Sequence, residues 1–145
     1  MLDNVKERIS VTATIVEPKG GVLRTKKRVL TRRGVLWLGQ TCNQRCYFCY
    51  FLNKISNEEH PEHAFMSIEK AKTICKTLVD FYHNTSIDIQ GGEPTIYREI
   101  LELCQYCHDI GLYPTLITNG IALSQEGKLE QYRDHGLRDF LDVRD

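Results

Sequence analysis

The sequence predicts an α/β fold built on a parallel sheet, and three observations carry that expectation. Short strand-like segments alternate with helix-period segments along most of the chain, the pattern of βαβ units with right-handed crossovers. The connections between them are short. Val35-Leu36-Trp37-Leu38 is apolar at every position, as a parallel strand covered on both faces should be.

The elements follow in order. Ile9, Val11, Ala13 and Ile15 alternate with Ser10, Thr12 and Thr14, the period of a half-buried strand. Glu17-Pro18-Lys19-Gly20-Gly21 is a turn and Val22 to Leu30 a return strand, so residues 1–33 are expected to form a small N-terminal β-hairpin. Gly34 to Leu38 is the first core strand. The polar, irregular stretch from Asn53 to Glu62 reads as a loop. Ser67 caps a helix with Glu69 in its first turn, and Ile68, Ala71, Cys75, Leu78 and Tyr82 give it one apolar stripe. Ser86 to Gln90 is the second core strand. A second helix spans roughly Ile96 to Ile110 and stops at Gly111. Leu112 to Thr118 is the third strand, Asn119-Gly120 a turn, Ser124 to His135 a third helix, and Arg138 to Val143 the start of a fourth strand.

At 145 residues the chain suits one domain or part of a larger one. With 41% hydrophobic and 26% charged residues it reads as globular. No apolar run approaches ~18 residues, which excludes a membrane-spanning helix. The charged start, Met1 to Arg8, has no secretory signal pattern. Six cysteines in a chain without an export signal suit a reducing compartment, so the cytoplasm is the expected location. Net charge is zero, yet nine Lys and Arg stand up to Gly34 against Asp3, Glu7 and Glu17. A basic patch can mark a nucleic-acid face. A solvated strand edge is favoured, because no aromatic residue lies among these charges to stack on bases.

Cys42, Cys46 and Cys49 stand at the spacing C-x3-C-x2-C directly after the first core strand. Three thiolates on one loop can hold three corners of a four-iron cluster and leave the fourth iron without a protein ligand. An open coordination position is what separates a catalytic metal site from a structural one. Gly91-Gly92-Glu93-Pro94-Thr95 follows the second strand and Thr118-Asn119-Gly120 ends the third. Ligands of parallel α/β sheets gather at the carboxyl ends of strands, so topology brings the three motifs together. The glycines allow close backbone approach or positive φ, and Glu93 supplies a fixed anionic acceptor. A non-catalytic iron–sulfur or zinc module is the alternative, with His60 and His63 as further ligands. Zinc sites usually pair C-x2-C with a second distant pair, which this run lacks. Cys104-x2-Cys107 invites a second-cluster reading, but both lie within the stiff second helix. Cys104 is on its apolar side with Ile100 and Cys75 completes the first helix's stripe, so Cys75, Cys104 and Cys107 read as small buried hydrophobes. His83, His108 and His135 read as surface or packing residues.

From Gly34 to the C-terminus the chain resembles the radical S-adenosylmethionine (radical SAM) superfamily, on the Cys triad, the Gly-Gly-Glu stretch and the Thr-Asn-Gly turn. The resemblance implies a partial (β/α) barrel, and residues 34–145 would be the N-terminal part of that core domain, truncated within the fourth strand. It implies a [4Fe–4S] cluster on Cys42, Cys46 and Cys49, with S-adenosyl-L-methionine (SAM) chelated at the open iron. It implies SAM contacts from Phe48, Gly91, Gly92, Glu93 and Asn119, with Phe48 against the adenine and Glu93 accepting from the ammonium. The implied activity is reductive cleavage of SAM to a 5′-deoxyadenosyl radical, fed by a low-potential electron donor such as ferredoxin or flavodoxin. The family's chemistry is too varied to name a substrate from the core alone.

Overall fold

A computed structural model of the protein describes residues 33–137 and 139–142, together with the backbone of two further strands. The chain divides into two units, Met1–Thr31 and Arg32–Asp145. In the first, β1 (Thr12–Thr14) and β2 (Lys27–Val29) pair antiparallel, with Thr12 opposite Val29. The expected turn at Glu17 to Gly21, the remainder of both hairpin strands and most of the basic residues lie outside the described residues.

The second unit carries four parallel strands, β3 (Arg33–Trp37), β4 (Ser86–Gln90), β5 (Tyr113–Thr118) and β6 (Asp139–Asp142), in the sheet order β3-β4-β5-β6. Each crossover therefore advances by one strand in one direction. The helices are α1 (Leu52–Ile55), α2 (Ile68–Asp80), α3 (Ile100–Asp109) and α4 (Lys128–Asp134). This is the α/β fold of parallel strands that the sequence predicts.

Burial explains why these segments order as they do. Leu36, Ile87, Ile89 and Leu116 point to one face of the sheet and are essentially inaccessible, packed with Ala71, Cys75, Leu103, Cys104 and Cys107 of α2 and α3. Strands buried on one side by helices need that alternation. The three cysteines outside the triad are fully buried, as expected of small hydrophobes, and the Cys107 thiol donates to Cys75 Sγ across the α2–α3 contact at 3.6 Å.

Several sequence expectations shift. Val35 is 55% exposed, so β3 is covered on one face and not on both. The uncovered face carries the row Val35, Asp88, Thr115 and Asp139, aligned across all four strands by register, and Arg33 Nε donates to Asp88 Oδ1 at 2.7 Å there. The stretch read as a loop from Asn53 contains the single turn α1, anchored by buried Ile55. Tyr82 lies beyond the end of α2 and is exposed. The helix expected from Ile96 instead begins with a 3₁₀ turn at Pro94–Ile96, and extended backbone at Tyr97 precedes α3. The third helix starts later than Ser124, whose hydroxyl donates back to Ile121 O instead of capping.

Candidate functional site

The cysteine loop leaves the C-terminal end of β3 under tight backbone control. Leu38 N donates to Gln90 O at 2.9 Å, which extends the β3–β4 contact past the strand. Met66 N then donates to Leu38 O, Gln40 N to Glu62 O and the Thr41 hydroxyl to His63 O, at 2.7–2.9 Å. Within the loop, Cys49 N donates to Cys46 O and closes a turn. Gln44 serves two ligand candidates: its backbone N–H meets Cys42 Sγ at 3.4 Å, and its Oε1 accepts from the Cys46 thiol at 3.6 Å. All three cysteines of the triad are free and half-buried.

The two glycines after β4 exist for this loop. Gly92 N donates to Gly39 O at 2.8 Å and Glu93 N to Thr41 O at 2.9 Å. A Cβ on Gly91, at φ +152°, would sit 2.3 Å from Gly39 O, and one on Gly92 would sit 2.1 Å from Thr41 O. No side chain fits at those separations. The close approach that the sequence assigns to these glycines is therefore made, in the first place, to the protein's own backbone.

Glu93 is 1% exposed and its carboxylate is engaged from three directions. Oε1 accepts from Thr95 N at 3.0 Å, Thr95 Oγ1 at 2.6 Å and Thr118 Oγ1 at 2.7 Å. Oε2 accepts from Asn119 N at 2.7 Å and keeps a further acceptor position. Asn119 is buried, accepts from Ile121 N through Oδ1, and donates from Nδ2 to Asn43 Oδ1 at 2.8 Å. The sequence motifs contain Thr95 and Thr118 without assigning them a role, and Asn43 and Gln44 carry no signal of their own. The signal for the threonines was there: a buried carboxylate must find donors, and hydroxyls stand near it in both motifs.

All three motifs line one cavity of about 300 Å³. Cys42, Cys46, Cys49 and Phe48 come from the loop after β3, Gly91, Gly92 and Glu93 from that after β4, and Thr118 and Asn119 from the end of β5. Trp37, Phe51 and Ile55 supply an apolar wall, with the Trp37 and Phe51 rings edge to face at 4.8 Å. Phe48 is 60% exposed and contacts Tyr47 edge to face. Burial pushes the Cys42 thiol above its ordinary value, the Gln44 N–H opposes this, and Glu93 and the two other thiols push it further up. A thiolate here calls for a cationic partner, which a bound iron would supply. Among the described residues no three His, Cys, Asp or Glu side chains converge as ligands of a single ion must. His60 Nδ1 accepts from Glu62 N. Three half-buried thiols that line one cavity are a donor set that fits a cluster.

Known proteins similar to this chain point to one family. The family model described as the radical SAM superfamily matches residues 38–143. The chain belongs to the radical SAM superfamily. Members of that superfamily are enzymes, and a [4Fe–4S] cluster and SAM are the superfamily's cofactors. PqqA peptide cyclase of Methylobacterium nodulans is 47% identical over 51 residues, covering 35% of this chain and 13% of that protein. PqqA peptide cyclase of Rhizobium meliloti is 30% identical over 125 residues, 86% of this chain and 32% of that protein. Among solved structures, BtrN in complex with AdoMet and 2-DOIA superposes with a TM-score of 0.62 at 21% identity, over 77% of this chain and 45% of that one. Streptococcus suis SuiB bound to S-adenosylmethionine gives 0.54 at 24%, over 70% and 22%. These two show the shared fold. The radical SAM chain described here thus spans 13% to 32% of the length of the curated relatives named. No helix among the described residues is long and apolar enough to cross a membrane.

Proposed function

We propose that this chain carries the cluster and SAM site of a radical SAM enzyme. The observation that supports it most is the single cavity onto which the three motifs open. Cys42, Cys46 and Cys49 would each hold one iron of a [4Fe–4S] cluster, leaving the fourth open to SAM. When bound, the pair supplies one-electron reduction of the sulfonium and a 5′-deoxyadenosyl radical; the protein binds, orients and shields. Phe48 offers an aromatic surface to the adenine. Gly91 and Gly92 keep the backbone close to the cysteine loop. Glu93 acts through the free acceptor position of Oε2 and through the segments that it holds, and Asn119 lines the same cavity. Trp37, Phe51 and Ile55 exclude water from one wall, which protects a radical from quenching.

The remainder of the reading is coarser. Peptides recur among the names of the relatives, in PqqA peptide cyclase and in SuiB bound to precursor peptide SuiA, so a peptide is the first substrate class to test. A low-potential donor such as ferredoxin or flavodoxin would supply the electron, in the cytoplasm.

Anaerobic reconstitution tests the proposal. The chain should take up about four irons and four sulfides, and Cys42→Ala, Cys46→Ala or Cys49→Ala should abolish uptake. Cys75→Ala, Cys104→Ala and Cys107→Ala should retain it. Loss of iron in the second set would sink the ligand assignment.

A further inference from the structure

We propose that Asn43 is a positioning residue for SAM, acting as a strut between the cysteine loop and the turn after β5. The inference rests on the reading above that the cavity takes SAM. Asn43 directly follows the first thiol, and Asn119 directly follows β5. The 2.8 Å bond from Asn119 Nδ2 to Asn43 Oδ1 joins residues 76 apart in sequence. In the sheet β4 lies between the two strands concerned, so the strut links loops whose strands do not touch.

The Asn119 end of the strut is fixed. Its backbone N–H is held by Glu93 Oε2 and its Oδ1 by the Ile121 N–H, at 2.7 and 3.2 Å. Only Nδ2 is left to reach outward, and its direction is set by that framework. The Asn43 end sits on an exposed loop, where an ordinary Asn would be solvated and free. Glu93 N already ties the start of the loop to the second motif through Thr41 O, but that contact lies before the first thiol. The Asn43–Asn119 bond lies after it. Together they fix Cys42 from both sides against the two segments that would receive SAM. Loss of the strut would let the thiol loop shift relative to Glu93 and Asn119 with every ligand still in place. Misplacement of about 1 Å is enough to cost a bound reactant its productive geometry.

The test uses the full chain, reconstituted anaerobically, with two readouts in sequence: iron and sulfide content, then SAM affinity by equilibrium dialysis with the electron paramagnetic resonance change of the reduced cluster. Asn43→Leu should keep wild-type iron content and bind SAM about two- to tenfold more weakly, the loss of one neutral hydrogen bond. Asn43→Asp keeps the Oδ1 acceptor and should restore wild-type affinity. Asn119→Asp keeps the bond to Ile121 but loses the Nδ2 donor, and adding Asn43→Leu to it should weaken SAM no further. Wild-type SAM affinity in Asn43→Leu would overturn the proposal, as would failure of Asn43→Asp to rescue. Loss of iron in Asn43→Leu would make Asn43 part of the ligand loop's own fold and also overturn it. A wild-type chain that takes up no iron refutes the cluster reading itself and is seen before SAM is added.

Discussion

Glu93 concentrates four hydrogen bonds from three residues on one buried carboxylate. Glu93→Ala would take the acceptor from the buried Thr118 hydroxyl and Asn119 N–H and from the half-buried N–H and hydroxyl of Thr95. The expected cost is about 3 kcal/mol of folding stability, read from the urea midpoint of the apo chain, so SAM affinity must be compared in Glu93→Gln as well. That variant turns an amide N–H toward Asn119 N and should lose about 1–2 kcal/mol. An unchanged urea midpoint in Glu93→Ala would show that the carboxylate is not structural. Gly92→Ala fails for a different reason, since its Cβ would lie 2.1 Å from Thr41 O. Backbone must move to admit it, and overpacking of this kind costs about 1–3 kcal/mol. Thermal melts that match the wild type would refute it. The sequence made the residue types at these positions legible. What it could not give was the target of the glycines, because the approaching backbone lies some fifty positions upstream.

At the scale of elements, the helices that cover the sheet hold by apolar packing and not by their surface charges. Leu103 in α3 is fully buried, and Leu103→Ala should cost about 2–5 kcal/mol. Lys72 of α2 pairs with Glu102 of α3 at 2.5 Å, but both side chains are substantially exposed. Lys72→Ala should therefore move the urea midpoint far less than Leu103→Ala does. Urea melts of the two variants give the comparison, and a larger loss from Lys72→Ala would reverse the argument. Period and capping made α2, α3 and the four strands legible: Ser67 does accept from Lys70 N, and Ala71 and Cys75 do face the core. Start points were less legible where a turn competes with a helix, as at Pro94 and at Ser124. The single turn α1 is too short to show a period, and only burial of Ile55 sets it apart from a loop. The apolar run of β3 implied two covered faces, yet apolarity records what a strand tolerates, not what covers it. The strut from Asn43 had no local signal, because both partners read as ordinary loop asparagines.

For the molecule as a whole, the buried acids predict alkaline sensitivity. Burial is the first cause that pushes Tyr97, Tyr132 and Cys104 each up to about 12, and all three are nearly inaccessible. In the unfolded chain they give up protons nearer pH 9 to 10, so the native state holds more protons and stability falls as pH rises. The stability from these groups should be fully present below about pH 9 and lost as pH climbs through about 12, measured by urea melts under reducing conditions. The Tyr97 hydroxyl has no hydrogen-bond partner among the described residues, so Tyr97→Phe should be no less stable at pH 7 and should flatten the alkaline slope. A slope unchanged in Tyr97→Phe would remove that residue from the account. The bond between Asn119 and Asn43 also has a bearing on the time at which this chain can be loaded. At roughly 5–20 residues per second of synthesis, the 76 positions between the two partners take roughly 4–15 seconds to translate. The three thiols thus emerge from the ribosome well ahead of the carboxylate and the turn that brace their loop. Iron delivered during that interval meets thiols whose loop still lacks its tie to Asn119, and the braced site is on offer only to a chain whose synthesis has passed β5.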